Sequence, residues 1–178
     1  HLHGGINKFR ELSGYNFSMY EKYISKLQSY CRKRGHNSEK IIKSILQDYC
    51  SIHNLSDPKY NVKLAKGNII EFVCDTNKII GIDVTNTEKK QSVSGKWTKK
   101  KYQNFLDELW VVVFSDSFTK EDYTKWNNES PDNVKIFSVY EFLKELDYSI
   151  DENTKSKIDK YNSCTFHTKE QFKSGYKL

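Results

Sequence analysis

The sequence predicts a three-layer α/β domain, and three observations carry that expectation. Apolar residues first recur at helical spacing: Tyr20, Tyr23, Ile24, Leu27 and Tyr30, then Ile41, Ile42, Ile45, Leu46 and Tyr49. The period then changes to two between Lys59 and Thr85. Finally, the continuous apolar run WVVVFS at 110–115 reads as a strand covered on both faces, which calls for helices on either side of a sheet.

The first apolar stripe predicts a helix over 19–34, broken at Gly35 in the basic turn CRKRGHNS, with Ser38 capping a second helix that runs to about residue 53. Strands follow at 59–65, 68–75 and 79–85, and the segment from Glu88 to Lys96 reads as a polar loop. Residues 99–109 are expected to be a helix entering the buried strand. Residues 116–133 read as a long connection with one helical turn, 134–137 as a short strand and 140–148 as a helix. The expected organisation is an N-terminal helical extension over 1–37, an α/β core over 38–150 and a polar tail over 151–178.

With 178 residues, 37% of them hydrophobic, the chain is long enough to bury a core and too apolar to be disordered. No apolar run approaches the ~20 residues of a membrane span, so no membrane partner is expected. The N-terminus HLHGGINKF lacks the apolar stretch of a signal peptide, which points to a cytoplasmic rather than secreted protein. Four cysteines, scattered at 31, 50, 74 and 164 with no CxxC pair, argue against a zinc site. A net charge of +6 favours a polyanionic partner.

One aspartate stands inside an apolar strand, Asp83 in IIGIDVTN. Alternation places Ile70, Phe72 and Cys74 on one face and Glu71, Val73 and Asp75 on the other; across the turn Ile80, Ile82 and Val84 oppose Gly81, Asp83 and Thr85. The apolar faces match only if the turn holds an odd number of residues. Thr76 to Lys78 satisfies this and sets Glu71 directly opposite Asp83. Two carboxylates at cross-strand distance repel unless a cation sits between them, and Mg²⁺ accepts one or two carboxylates plus waters and phosphate oxygens. The other reading is a solvated face whose acids pair with lysines.

The order of a helix at 39–53, a three-strand meander at 59–85, a helix at 99–109 and a buried strand at 110–115 resembles the core of the restriction-endonuclease-like, PD-(D/E)xK nuclease superfamily. The resemblance implies a mixed sheet in αβββαβ order flanked by helices. It also implies a metal-dependent DNA endonuclease that hydrolyses phosphodiester bonds, of which structure-specific and resolvase-like enzymes are forms, and which often acts as a homodimer. Carried over by position, Glu71 and Asp83 would hold Mg²⁺ (or Mn²⁺) with the carbonyl of Val84. Glu39 would hold a second metal or orient water, Gln103 would match the glutamine of the following helix, and Thr85 stands where the motif has lysine. The missing lysine leaves Lys63, Lys96 and Lys101 as candidates to replace it. It also leaves open an alternative, a nuclease-like fold that binds nucleic acid or a protein without cutting. Lys96, Lys99, Lys100 and Lys101 with Trp97, and Arg32, Lys33 and Arg34 of the CRKRGH turn, are the expected contacts to phosphates and bases.

Overall fold

The period-two segment folds into strands at the expected places, and the mixed α/β sheet that the sequence predicts is what the structure has. The computed structural model describes residues 14, 19–64, 69–98 and 106–163. The chain divides into two compact units, residues 1–33 with 166–178 and residues 34–165. The sheet, both cores and the candidate site belong to the second. No described helix is long and apolar enough to cross a membrane.

The elements run α1 (Met19–Ile52), β1 (Lys59–Lys63), β2 (Ile69–Asp75), β3 (Ile79–Asn86), α2 (Lys90–Thr98), β4 (Glu108–Phe114), α3 (Lys120–Glu129), β5 (Val134–Ser138), α4 (Val139–Glu145) and α5 (Glu152–Asn162). The strands lie side by side in sequence order, β1, β2 and β3 antiparallel and β3, β4 and β5 parallel. The two parallel connections each contain a helix, as such crossovers require.

Alternation along β4 shows how the sheet is covered. Trp110, Val112 and Phe114 face a core built with Ile42, Ile45 and Leu46 of α1, Phe142 of α4 and Ile158 of α5. Leu109, Val111 and Val113 face a second core with Val93 and Trp97 of α2 and Tyr123 and Trp126 of α3. This is the three-layer arrangement: one helical layer from α1, α4 and α5, the sheet, and another from α2 and α3.

Five local expectations are corrected. First, α1 continues through Gly35. A mid-helix glycine costs about 1 kcal/mol relative to alanine, but buried Arg34 and Ser38 on either side are tied to other elements. Second, most of the segment expected as a loop over 88–96 is helical, α2 running over Lys90–Thr98. Ser92, Ser94 and Gly95 are poor helix formers, yet Val93 and Trp97, four residues apart, both bury in the second core. Third, of the helix expected over 99–109, residues 99–105 lie outside the described residues, Leu106 and Asp107 are irregular, and Glu108 already begins β4. Fourth, the connection at 116–133 holds a ten-residue helix, α3, with a Thr119–Asp122 capping box. The expected polar tail likewise contains α5, capped by Asp151 and anchored by Ile158.

At the start of β4, Glu108 accepts hydrogen bonds from Lys78 Nζ (2.6 Å) and Trp110 Nε1 (2.8 Å), with Lys135 Nζ at 3.5 Å. These contacts, the Lys78 and Trp110 bonds foremost, hold its carboxyl down at about 2. A carboxylate depressed in the folded state contributes stability that is present above its unfolded value and is lost as pH falls towards its folded one. Glu108→Gln should therefore cost about 1–2 kcal/mol at neutral pH, discounted because Lys78 and Lys135 are half exposed. Denaturant melts should show the two proteins converging between pH 4.5 and 2. A gap that persists unchanged at pH 2 would rule out this contribution.

Candidate active site

The hairpin register is the one that parity demands. Asp75 pairs with Ile79, Cys74 with Ile80, Val73 with Gly81 and Phe72 with Ile82, so the next step sets Glu71 across from Asp83. The paired ladder stops there. Glu71 Oε2 accepts from the Val84 backbone N–H at 2.5 Å, a side chain reaching to the neighbouring strand where backbone pairing has ended. Opposite Glu71 on its other side, Asn61 of β1 has φ 48°, in the left-handed region that asparagine tolerates better than most residues. The regular face alternation of β2 breaks at this level. Ile70, expected to share the face of Phe72 and Cys74, packs instead in the second core with Val73.

Asp83 is 3% exposed, and a buried carboxylate needs a partner. Its Oδ1 lies 2.5 Å from the ammonium of Lys96, whose side chain is 27% exposed. The sequence does not advertise this contact because it depends on α2. The helix begins at Lys90, four residues after β3 ends at Asn86, and returns over the sheet face that Val73, Val111 and Val113 also line. Val93 and Trp97 anchor it there, which brings Lys96 back to a residue thirteen positions earlier. Gly81 belongs to the same packing. A Cβ on it would lie 2.3 Å from Leu106 Cδ1, so the side chain of Leu106 occupies the space next to the strand.

Glu71 is raised from its ordinary 4.5 to about 8, first by burial and then by the charge of Asp83. The Val84 N–H and the Lys96 ammonium act in the opposite direction, and Glu39 adds a smaller repulsion. Glu39 thus lies within electrostatic reach of the pair, although its contact is an ion-pair distance of 3.6 Å to His36 and its side chain is 38% exposed. Thr85 follows Asp83 on β3, partly buried and paired with Val113 of β4.

Other expected contacts fall elsewhere. Trp97, expected to stack on bases, is 7% exposed and part of the second core; the lysines around it gave no hint of that. Arg34, expected at phosphates, is buried and donates to the backbone carbonyls of Lys160 and Tyr161 at the end of α5. Arg32 and Lys33 are exposed on α1. Gln103, Lys99, Lys100 and Lys101 lie outside the described residues. Of the three lysines considered as replacements for the motif lysine, Lys96 is the one seated on Asp83, Lys63 ends β1 and Lys101 is not described.

Basic residues also appear where the sequence was read as tail. A groove of about 1020 Å³ between α1 and α5 is lined by Lys40, Lys157 and Lys160 together with Asp48 and Asp151. Asp48 accepts from the Tyr148 hydroxyl and Asp151 caps α5, so both acids are held by hydrogen bonds.

The donor set fits a hard divalent ion. Two carboxylates on adjacent strands, one buried and paired to an ammonium, supply the oxygen ligands that Mg²⁺ takes alongside water and phosphate. They do not make a fuller cage: among the described residues no group of three or more His, Cys, Asp or Glu side chains is arranged to hold a metal.

Neither a protein-family model nor a curated protein matches the sequence. Among solved structures the chain is similar to one described as a complex of the restriction endonuclease PspGI with substrate DNA, at 18% identity and a TM-score of 0.49. The likeness covers 88% of this chain and 66% of that one. It is distant enough that the reading of the site rests on the geometry of Glu71, Asp83 and Lys96.

Proposed function

We propose that this protein is a metal-dependent DNA endonuclease that hydrolyses phosphodiester bonds. The observation that carries the reading is the buried Asp83 carboxylate, opposite Glu71 and 2.5 Å from Lys96, in a strand that is otherwise apolar. An acid buried there has to be compensated, and packing alone offers no reason to keep it.

In this reading Glu71 and Asp83 hold Mg²⁺ or Mn²⁺. The bound ion supplies charge stabilisation at the scissile phosphate and lowers the pKa of a water. Lys96 takes the role that Thr85 cannot, since a hydroxyl has no charge to offer a phosphate. Its ammonium, on a flexible stem beside Asp83, donates to a phosphate oxygen and steadies the attacking water. Glu39, half exposed at the edge of the pair, is the group that would orient water or hold a second ion. The lysines that line the groove between α1 and α5 are further candidates to contact a phosphate backbone.

A second reading, a nuclease-like fold that binds DNA without cutting, is favoured by one observation: Lys96 is engaged by Asp83 rather than presented to solvent. One experiment separates the two. Labelled duplex, single-stranded and four-way-junction DNA are incubated with the protein in Mg²⁺, Mn²⁺ or EDTA, and both binding and cleavage are scored. Cutting that requires the ion is the expected result and the substrate profile then defines the enzyme. Salt-sensitive binding with no cutting in either ion selects the second reading.

A further inference from the structure

We propose that the Lys96 ammonium is an internal counter-ion that holds the cation position on Asp83 and must be displaced from it by a divalent ion. This rests on the reading that Glu71 and Asp83 take such an ion, and it adds how the ion gains entry. Asp83 is 3% exposed, so its charge cannot stand uncompensated, and Lys96 compensates it at 2.5 Å from Oδ1. An ammonium hydrogen-bonded at that distance and a divalent ion cannot share one oxygen in the same direction. An ion that takes this position on Oδ1 therefore exchanges with the ammonium and does not fill an open site.

The surroundings suit an exchange confined to one side chain. α2 is pinned by Val93 and Trp97 in the second core, at 0% and 7% exposure, and by Lys90 Nζ at 2.5 Å from Asp122 Oδ1 of α3. The helix stays while the four-carbon stem of Lys96, already 27% exposed, swings outward. The ammonium then lies beside the site with its charge uncommitted. The lysine becomes available to a phosphate only once the ion has taken its place, which orders metal binding before productive contact with DNA.

The test measures Mn²⁺ binding to the full chain without DNA, by calorimetry and by electron paramagnetic resonance, in wild type, Lys96→Met and Lys96→Gln. Removing the competing cation should lower the Mn²⁺ dissociation constant about tenfold or more, since each factor of ten is about 1.4 kcal/mol and a buried pair broken on one side is worth more than that. In thermal melts the metal-free Lys96→Met protein should unfold below wild type and gain more from added Mn²⁺. Lys96→Gln, which keeps a donor without the charge, gives the same comparison if the methionine variant folds poorly. Equal or weaker Mn²⁺ affinity in both variants would overturn the exchange while leaving metal binding by Glu71 and Asp83 intact. No Mn²⁺ binding by any of the three proteins would overturn both.

Discussion

Asp83→Asn should reduce metal-dependent DNA cleavage about a thousandfold or more, because the ion that Asp83 is proposed to hold would supply several kcal/mol of transition-state stabilisation and ~1.4 kcal/mol is a factor of ten in rate. Its effect on folding should be small and of the opposite sign. The substitution removes the Asp83 charge that, after burial, does most to raise the Glu71 carboxyl, which then titrates closer to its ordinary range. Lys96, more than a quarter exposed, can reach water for its own solvation. Single-turnover cleavage and a denaturant melt on the same preparations check both halves. A variant that loses activity and also loses several kcal/mol of stability would show Asp83 to be structural.

Lys96→Met should lower cleavage about a hundredfold or more, the scale on which a positioned acid–base or charge-donating side chain contributes. Unlike the Asp83 variant it should also be destabilised without metal, by about 3 kcal/mol, because it leaves the buried Asp83 charge without its ammonium. Two variants at one ion pair thus have unequal costs, and the inequality follows from burial: 3% exposure for Asp83 against 27% for the Lys96 side chain. Arginine at position 96 keeps the charge but replaces the compact ammonium on Asp83 with a larger planar head, so Lys96→Arg should recover stability better than activity. If Lys96→Met cleaves like wild type, Lys96 does not replace the motif lysine.

The hairpin was legible in the sequence because period-two alternation leaves little freedom. Ile80, Ile82 and Val84 can share a face with Phe72 and Cys74 only across an odd turn, and that parity fixes Glu71 against Asp83. The buried strand 110–115 was legible for a similar reason, since an unbroken apolar run needs cover on both sides. Ile70 escaped the same logic because alternation assumes a regular strand pair, and the backbone of β1 departs from it at Asn61, opposite Glu71.

The partner of Asp83 was not legible. Lys96 was one of three lysines named, and choosing it required α2, which rests on only two buried side chains, Val93 and Trp97, in a segment of serines, glycine and lysines that local propensity reads as loop. Trp97 was misread for the same reason, its lysine-rich neighbours suggesting a surface where tertiary packing makes a core. Arg34 was misread because its sequence neighbours are basic, whereas its partners are carbonyls more than a hundred residues away, at the end of α5. Charge clusters in sequence report composition, and which members are buried is decided by contacts that no local pattern contains.

The measurement that tests the central claim most directly is single-turnover cleavage of duplex DNA by wild type and Asp83→Asn, at protein concentrations that saturate DNA binding, in Mg²⁺ and in EDTA. Cutting by wild type in Mg²⁺, abolished by EDTA and reduced about a thousandfold in the variant at equal DNA occupancy, is the predicted result. Cutting that survives the substitution or the chelator would contradict a catalytic site built on Asp83.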